Sequence, residues 1–148
     1  MFLDTSIFTW IGITSKMYAC YINKTFKEQA LDLSIEHFNI LKVLIKNNGK
    51  PQNDLALLTE SDKTSLSRLI STMEKKGLIY RKSIKSDKRV KTIFLTALGK
   101  STYLNALPIL KKTIEKIQES VTEIEICQAI ETIKKIQLNI SKEHSFKL

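Results

Sequence analysis

The sequence predicts a mainly α-helical chain with a small β-hairpin, and three observations predict it. Apolar residues recur at helical spacing through most of the 148 residues. Among them Leu66, Leu69, Ile70 and Met73 share one face of a helix running from Ser61 to Lys76. Gly77 closes that helix as its C′ residue after a basic last turn, Glu74-Lys75-Lys76. Two β-type runs follow, Leu78–Ile84 and Arg89–Leu95, around a turn of Lys85-Ser86-Asp87-Lys88. Helix, glycine, basic hairpin is the order of a winged helix-turn-helix.

The chain in order supports this layout. Ile7, Trp10, Ile11, Thr14, Met17, Tyr18, Tyr21, Ile22 and Phe26 fall near a 3.6-residue period and predict one long helix from about Asp4 to Gln29. Ser34 is a suitable N-cap for a second helix carrying Ile35, Phe38, Leu41, Leu44 and Ile45, and Gly49 stops it. Pro51 opens a short helix to Leu58, at a position where its missing N–H costs nothing. Thr59-Glu60-Ser61 then turns into the Ser61–Lys76 helix. After the hairpin, Thr96 caps a long helix toward Ser120, with Gly99 allowing close packing in its first turn and Pro108 inside it, which should kink it near Asn105–Leu107. Thr122-Glu123-Ile124-Glu125 is a capping-box start for the last helix.

Charge singles out the middle of the chain. Residues 50–100 carry 12 Lys and Arg against 5 Asp and Glu, whereas the segments on either side are each at +1. A localised excess of this kind attracts phosphates, while a uniform one would only aid solubility. Asp62, Lys63, Thr64, Ser65, Ser67 and Arg68 occupy the rest of the first two turns of the Ser61–Lys76 helix. Short hydroxyls and an Arg there can approach base edges closely and donate or accept. With Gln52 at the start of the preceding helix, and Lys85, Lys88 and Lys91 about the hairpin, Lys63, Thr64, Ser65, Ser67 and Arg68 are the candidate contacts to double-stranded DNA.

Other classes find less support. Two His, no Gly-rich phosphate loop and no nucleophile–base arrangement argue against an enzyme. Cys20 and Cys127 have no metal or redox spacing, and no cofactor or metal is expected. No apolar run reaches the length of a membrane span, and a cytoplasmic location is expected. The competing class is a winged-helix module that binds protein, which should present apolar residues where this helix presents hydroxyls. The first and the last two helices carry more large apolar residues than one small core can cover, which predicts a homodimer. One domain is expected over 1–148, with the winged-helix lobe at about 34–100 and dimerisation helices at about 4–30 and 100–141.

These residues resemble the MarR family of bacterial transcription regulators. The resemblance is carried by Asp87-Lys88-Arg89, followed by Leu95-Thr96-Ala97-Leu98-Gly99, which is similar to the family's D-x-R wing signature joined to L-T-x-x-G. Leu66-Ser67-Arg68-Leu69-Ile70 through Gly77-Leu78-Ile79, with Leu55-Ala56 before it, is similar to the family's binding helices. Glu60 and Ser61 depart from it, standing where the family has Gly and an apolar residue. The resemblance implies a homodimeric repressor on a pseudo-palindromic operator. In it, each recognition helix enters a major groove and Arg89, restrained by Asp87, probes the minor groove. An Asp–Arg pair that merely closes the turn is the alternative. The resemblance also implies a small aromatic effector, with Trp10, Met17, Tyr18, Tyr21, His37 and Phe38 as candidate lining residues. A branch of the family senses peroxide through a Cys on the first helix. Tyr18 and Tyr21 do not share the helix face of Cys20, which reads instead as a buried structural thiol.

Overall fold

The computed structural model describes residues 5–58, 62–84 and 87–144, the side chains of 57, 58, 84, 87–90 and 144 excepted. Its elements run α1 (Ile7–Glu28), α2 (Ile35–Lys46), β1 (Lys50–Pro51), α3 (Gln52–Leu58), α4 (Lys63–Lys75), β2 (Ile79–Ile84), β3 (Asp87–Leu95), α5 (Ala97–Ile117) and α6 (Glu123–His144). The chain divides into two compact units, one reaching Lys111 and one beginning at Lys112.

The core of the first unit is built from one face of each helix. Ile22 and Phe26 come from α1, Phe38, Ile40, Leu41 and Leu44 from α2, and Leu55 from α3. Leu66, Ile70 and Met73 come from α4, and Ile79 and Ile93 from the sheet, all essentially closed to solvent. Burial of each such side chain contributes about 1.5–3 kcal/mol. Phe38 stacks on Tyr103 of α5 with ring centroids 5.0 Å apart, and the Phe26 ring lies 6.3 Å from that of Phe38.

Helix ends are set by local chemistry. The Ser6 hydroxyl caps α1, and Ser34 caps α2 with His37 completing the box. Asp62 caps α4 by accepting the Thr64 and Ser65 N–H groups at 2.9 Å each. Gly77, at φ 69°, ends α4 in a Schellman turn: its N–H reaches Glu74 O at 2.9 Å and that of Leu78 reaches Met73 O at 3.0 Å. The same turn ends α1, but there the left-handed residue is Ala30, at φ 55°. Its Cβ makes this conformation cost about 1–2 kcal/mol.

Three expectations change at the sheet and on α1. Pro51 does not open α3. It lies in β1, opposite Thr92, so the hairpin gains a third strand in the order β1-β3-β2. Two residues are too few to show strand alternation. Part of the joint is made instead by a side chain, with Asn48 Oδ1 accepting Leu95 N–H at 2.8 Å. The hairpin is also tighter than expected, because β3 begins at Asp87, which pairs with Ile84 after an irregularity at Ser83/Ile84. Lys85, Ser86 and the Thr59–Ser61 turn lie outside the described residues. Cys20 is exposed rather than buried, as is Cys127. Only Ile22 and Phe26 of the α1 stripe are buried, and Cys20 lies off their side of the helix.

The start of α5 is stitched to the end of α4. The Thr96 hydroxyl donates to Gly77 O at 2.7 Å and accepts Gly99 N–H at 2.9 Å, and its own N–H reaches Leu78 O at 3.1 Å. A Cβ at Gly99 would stand 2.1 Å from that same Leu78 oxygen. In the second unit, Thr122 and Glu125 form the predicted capping box at the start of α6.

Gly99→Ala should therefore destabilise the protein by about 1–3 kcal/mol, since backbone must move. Ala30→Gly should stabilise it by about 1 kcal/mol by removing the Cβ conflict. Thermal melts of the two variants should shift in opposite directions; an unchanged melt in Gly99→Ala would refute the close approach there, and a lowered one in Ala30→Gly the conflict at Ala30.

Candidate nucleic-acid interface

The winged-helix portion places a polar surface directly behind the core face of α4. Leu66, Ile70 and Met73 point inward, and Leu69 is half-buried. Lys63, Thr64, Ser65, Ser67 and Arg68 are all exposed, joined by Thr72 one turn beyond Arg68. Sequence reasoning did not single out Thr72, although its position four residues after Arg68 places it on the same face. Its hydroxyl donates to Arg68 O at 3.1 Å. Gln52 is half-buried at the first position of α3.

The helix N-terminus is already filled. The Ser65 hydroxyl, helped by the Ser65 and Thr64 N–H groups, holds the Asp62 carboxyl below its ordinary range. A carboxylate satisfying these orphan donors leaves them unavailable to a phosphate. With the Thr64 and Ser65 N–H groups engaged, contacts from α4 to an anionic partner fall mainly to its side chains.

The wing is described in part. Asp87, Lys88 and Arg89 belong to β3, but their side chains, like all of Lys85, lie outside the described residues. Lys91 is exposed and donates across the hairpin to Ser83 Oγ at 2.8 Å. Exposed Lys82 adds a further cation on β2. Sequence reasoning missed Arg81, whose guanidinium reaches back from β2 to Ser71 Oγ at 2.7 Å and Glu74 Oε2 at 3.3 Å on α4.

The candidate effector residues are divided between surface and core. Trp10, Met17 and Tyr21 are exposed on α1. Tyr18 is half-buried, and burial pushes its phenol up. Phe38 is in the aromatic cluster. His37 is buried, with Nδ1 accepting Ser34 N–H at 3.3 Å and Nε2 lacking a partner. Among the described residues, no group of three His, Cys, Asp or Glu is placed to hold a metal, and no helix is long and apolar enough to cross a membrane.

A short pair of helices, a two-faced second helix and a hairpin leaning on it define a winged helix-turn-helix protein. Residues 31–90 match the model of the MarR family. An uncharacterised HTH-type transcriptional regulator, YybA of Bacillus subtilis, is 26% identical over 140 residues, covering 92% of this chain and 89% of that one. Two structures from Listeria monocytogenes are each 29% identical, covering 94% of this chain and 91% of theirs. One is an uncharacterised SlyA-like regulator (TM-score 0.80). The other is a putative MarR-family regulator complexed with a 26mer DNA (TM-score 0.78). Over residues 31–90 the chain is thus similar to the MarR family, and along most of its length to solved regulators of that kind.

His37 supplies a test of the local geometry. Burial first, and then the Lys76 ammonium, hold its imidazole below the ordinary value of 6.5, against smaller opposite effects of Glu36 and Asp32. The unfolded chain thus takes up this proton more readily, so stability is full above about pH 6.5 and is lost as pH falls toward the folded-state value. His37→Gln keeps a capping-box acceptor that does not titrate. Melting temperature should fall from pH 7 to pH 5 more steeply in wild type than in His37→Gln, and parallel profiles would contradict the assignment.

Proposed function

We propose that the protein is a sequence-specific double-stranded DNA-binding regulator that acts in the cytoplasm as a homodimeric repressor on a pseudo-palindromic operator. The observation that carries this reading is α4, with Leu66, Ile70 and Met73 sealed inward and Lys63, Thr64, Ser65, Ser67, Arg68 and Thr72 presented outward. That surface suits base edges and phosphates and offers little to an apolar protein partner. The DNA complex of the Listeria relative supports the same assignment. In this reading residues of about 34–100 form the DNA-binding lobe, and those of about 4–30 and 100–141 join two copies. Phe8, Trp10 and Met17, each more than half exposed on α1, support a second copy over that helix. So do exposed Ile124 and Leu138 on α6. A small aromatic effector would be met by the α1 residues Trp10, Met17, Tyr18 and Tyr21 and by His37 and Phe38 of α2.

Exposure of Cys20 favours a second reading, in which oxidation of that thiol releases the DNA. Loss of binding on peroxide treatment of wild type, absent in Cys20→Ser, would establish it over an effector.

Binding should weaken with salt at a log–log slope near −0.9 per phosphate neutralised. Site selection on randomised DNA should return half-sites ~10 bp apart. Arg68→Ala should cost ~1–3 kcal/mol and relax one core position in each half-site. Arg89→Ala should flatten the preference for A·T-rich flanks while sparing the core bases. A salt-independent interaction, or a lone asymmetric half-site bound at full affinity, would sink the proposal. Truncation after Ser120 should abolish both the dimer, read by sedimentation, and tight binding.

A further inference from the structure

Arg81 joins β2 to α4 at three points. Its Nη2 donates to Ser71 Oγ at 2.7 Å, and its Nη1 lies 3.3 Å from Glu74 Oε2. Its backbone N–H donates to the other Glu74 oxygen, Oε1, at 3.0 Å. Ser71 and Glu74 are neighbours along one face of α4, three residues apart. Both ends of a planar guanidinium and one main-chain group are thus tied to a single helical turn.

Stability is a poor explanation for this arrangement. The side chains are only 26% and 38% exposed, so both charges lose much of their hydration, and Nε is buried without a partner. A half-buried ion pair with an orphaned donor returns little net stability. What a forked guanidinium does supply is direction, because its donors cannot turn independently. The hairpin continues past Arg81 to Ile84, its last paired residue on β2. That is about 10 Å at the rise of a strand, so a tilt of about 10° at the clamp would move the far end by about 2 Å. Recognition geometry tolerates about 0.5 Å.

We infer that Arg81 is a positioning residue that acts through Ser71 and Glu74. It sets the angle of the wing to α4, and so the spacing between the DNA contacts of the helix and those of the wing. The inference rests on the DNA-binding reading above. It gives flank selectivity to a side chain that does not touch DNA. A phosphate-binding Arg81 would be a different role with a different signature, since each phosphate contact adds to the salt slope.

The experiment compares wild type, Arg81→Gln, Glu74→Gln and Ser71→Ala by site selection, and by affinity for the selected site with its own and with scrambled flanks, across a salt series. Glu74→Gln keeps an acceptor for the Arg81 N–H and removes only the ion pair. Flank discrimination should fall about tenfold in Arg81→Gln and severalfold in the other two. Core-base preference and salt slope should be those of wild type. A folded Arg81→Gln that retains full flank discrimination overturns the inference, and so does one with a shallower salt slope. If Arg81→Gln does not fold, undiminished flank discrimination in both Glu74→Gln and Ser71→Ala overturns it equally. Wild type that selects no DNA sequence overturns the DNA-binding reading itself, and the positioning role falls with it.

Discussion

Burial of Leu66, Ile70 and Met73 fixes the rotation of α4, and the rest of the winged lobe is arranged around that constraint. A helix with three large side chains in a close-packed core cannot roll without opening a cavity. Its opposite face is thereby committed to solvent, or to whatever replaces it. The ends are fixed as well. Asp62 closes the first turn. At the last turn, Lys76 Nζ reaches back to the loop after α1, 2.6 Å from Asp32 Oδ1 and 3.0 Å from Asp32 O. This bond and the Lys76 charge hold the Asp32 carboxyl below its ordinary range, although Asp32 is well exposed and solvent screens the pair.

The exit from α4 shows how one local conformation serves several elements. Gly77 in the left-handed region turns the chain sharply enough for Leu78 to enter the core and Ile79 to begin β2. The carbonyls of Gly77 and Leu78 then receive Thr96, and the bare Cα of Gly99 lets α5 start against them. A short motif of Leu, Thr and Gly is thus a joint between a hairpin and two helices. That explains the need for a hydroxyl three residues before a glycine.

Much of this was legible in the residues. The stripe of α4, the serine and threonine caps and the two glycines are local features, and each is written within a few consecutive residues. What escaped notice depends on partners far apart. The β1 strand has two residues and borrows the Asn48 side chain, so no periodicity announces it. Arg81 reads as one more cation in a basic stretch. Its role depends on strand geometry that aims it at Ser71 and Glu74, ten and seven residues earlier. The beginning of β3 at Asp87 follows from a register irregularity that composition does not encode. On α1 the apolar period marks a helix, but period alone does not say that the Ile22 and Phe26 end is covered within the chain while Trp10 and Met17 are not.

The contact of Glu74 Oε1 with the Arg81 N–H also bears on how this small sheet ends. With strand order β1-β3-β2, β1 and β2 are both edges, and an unpaired edge invites another chain to add a strand. On β2, Glu74 occupies an N–H such a strand would use, and Lys82 beside it would bring charge into the joint. On β1, one of the two residues is Pro51, which has no N–H to offer. A strand added to either edge would thus lose a donor, to a carboxylate borrowed from the helix on one side and to an imino acid on the other.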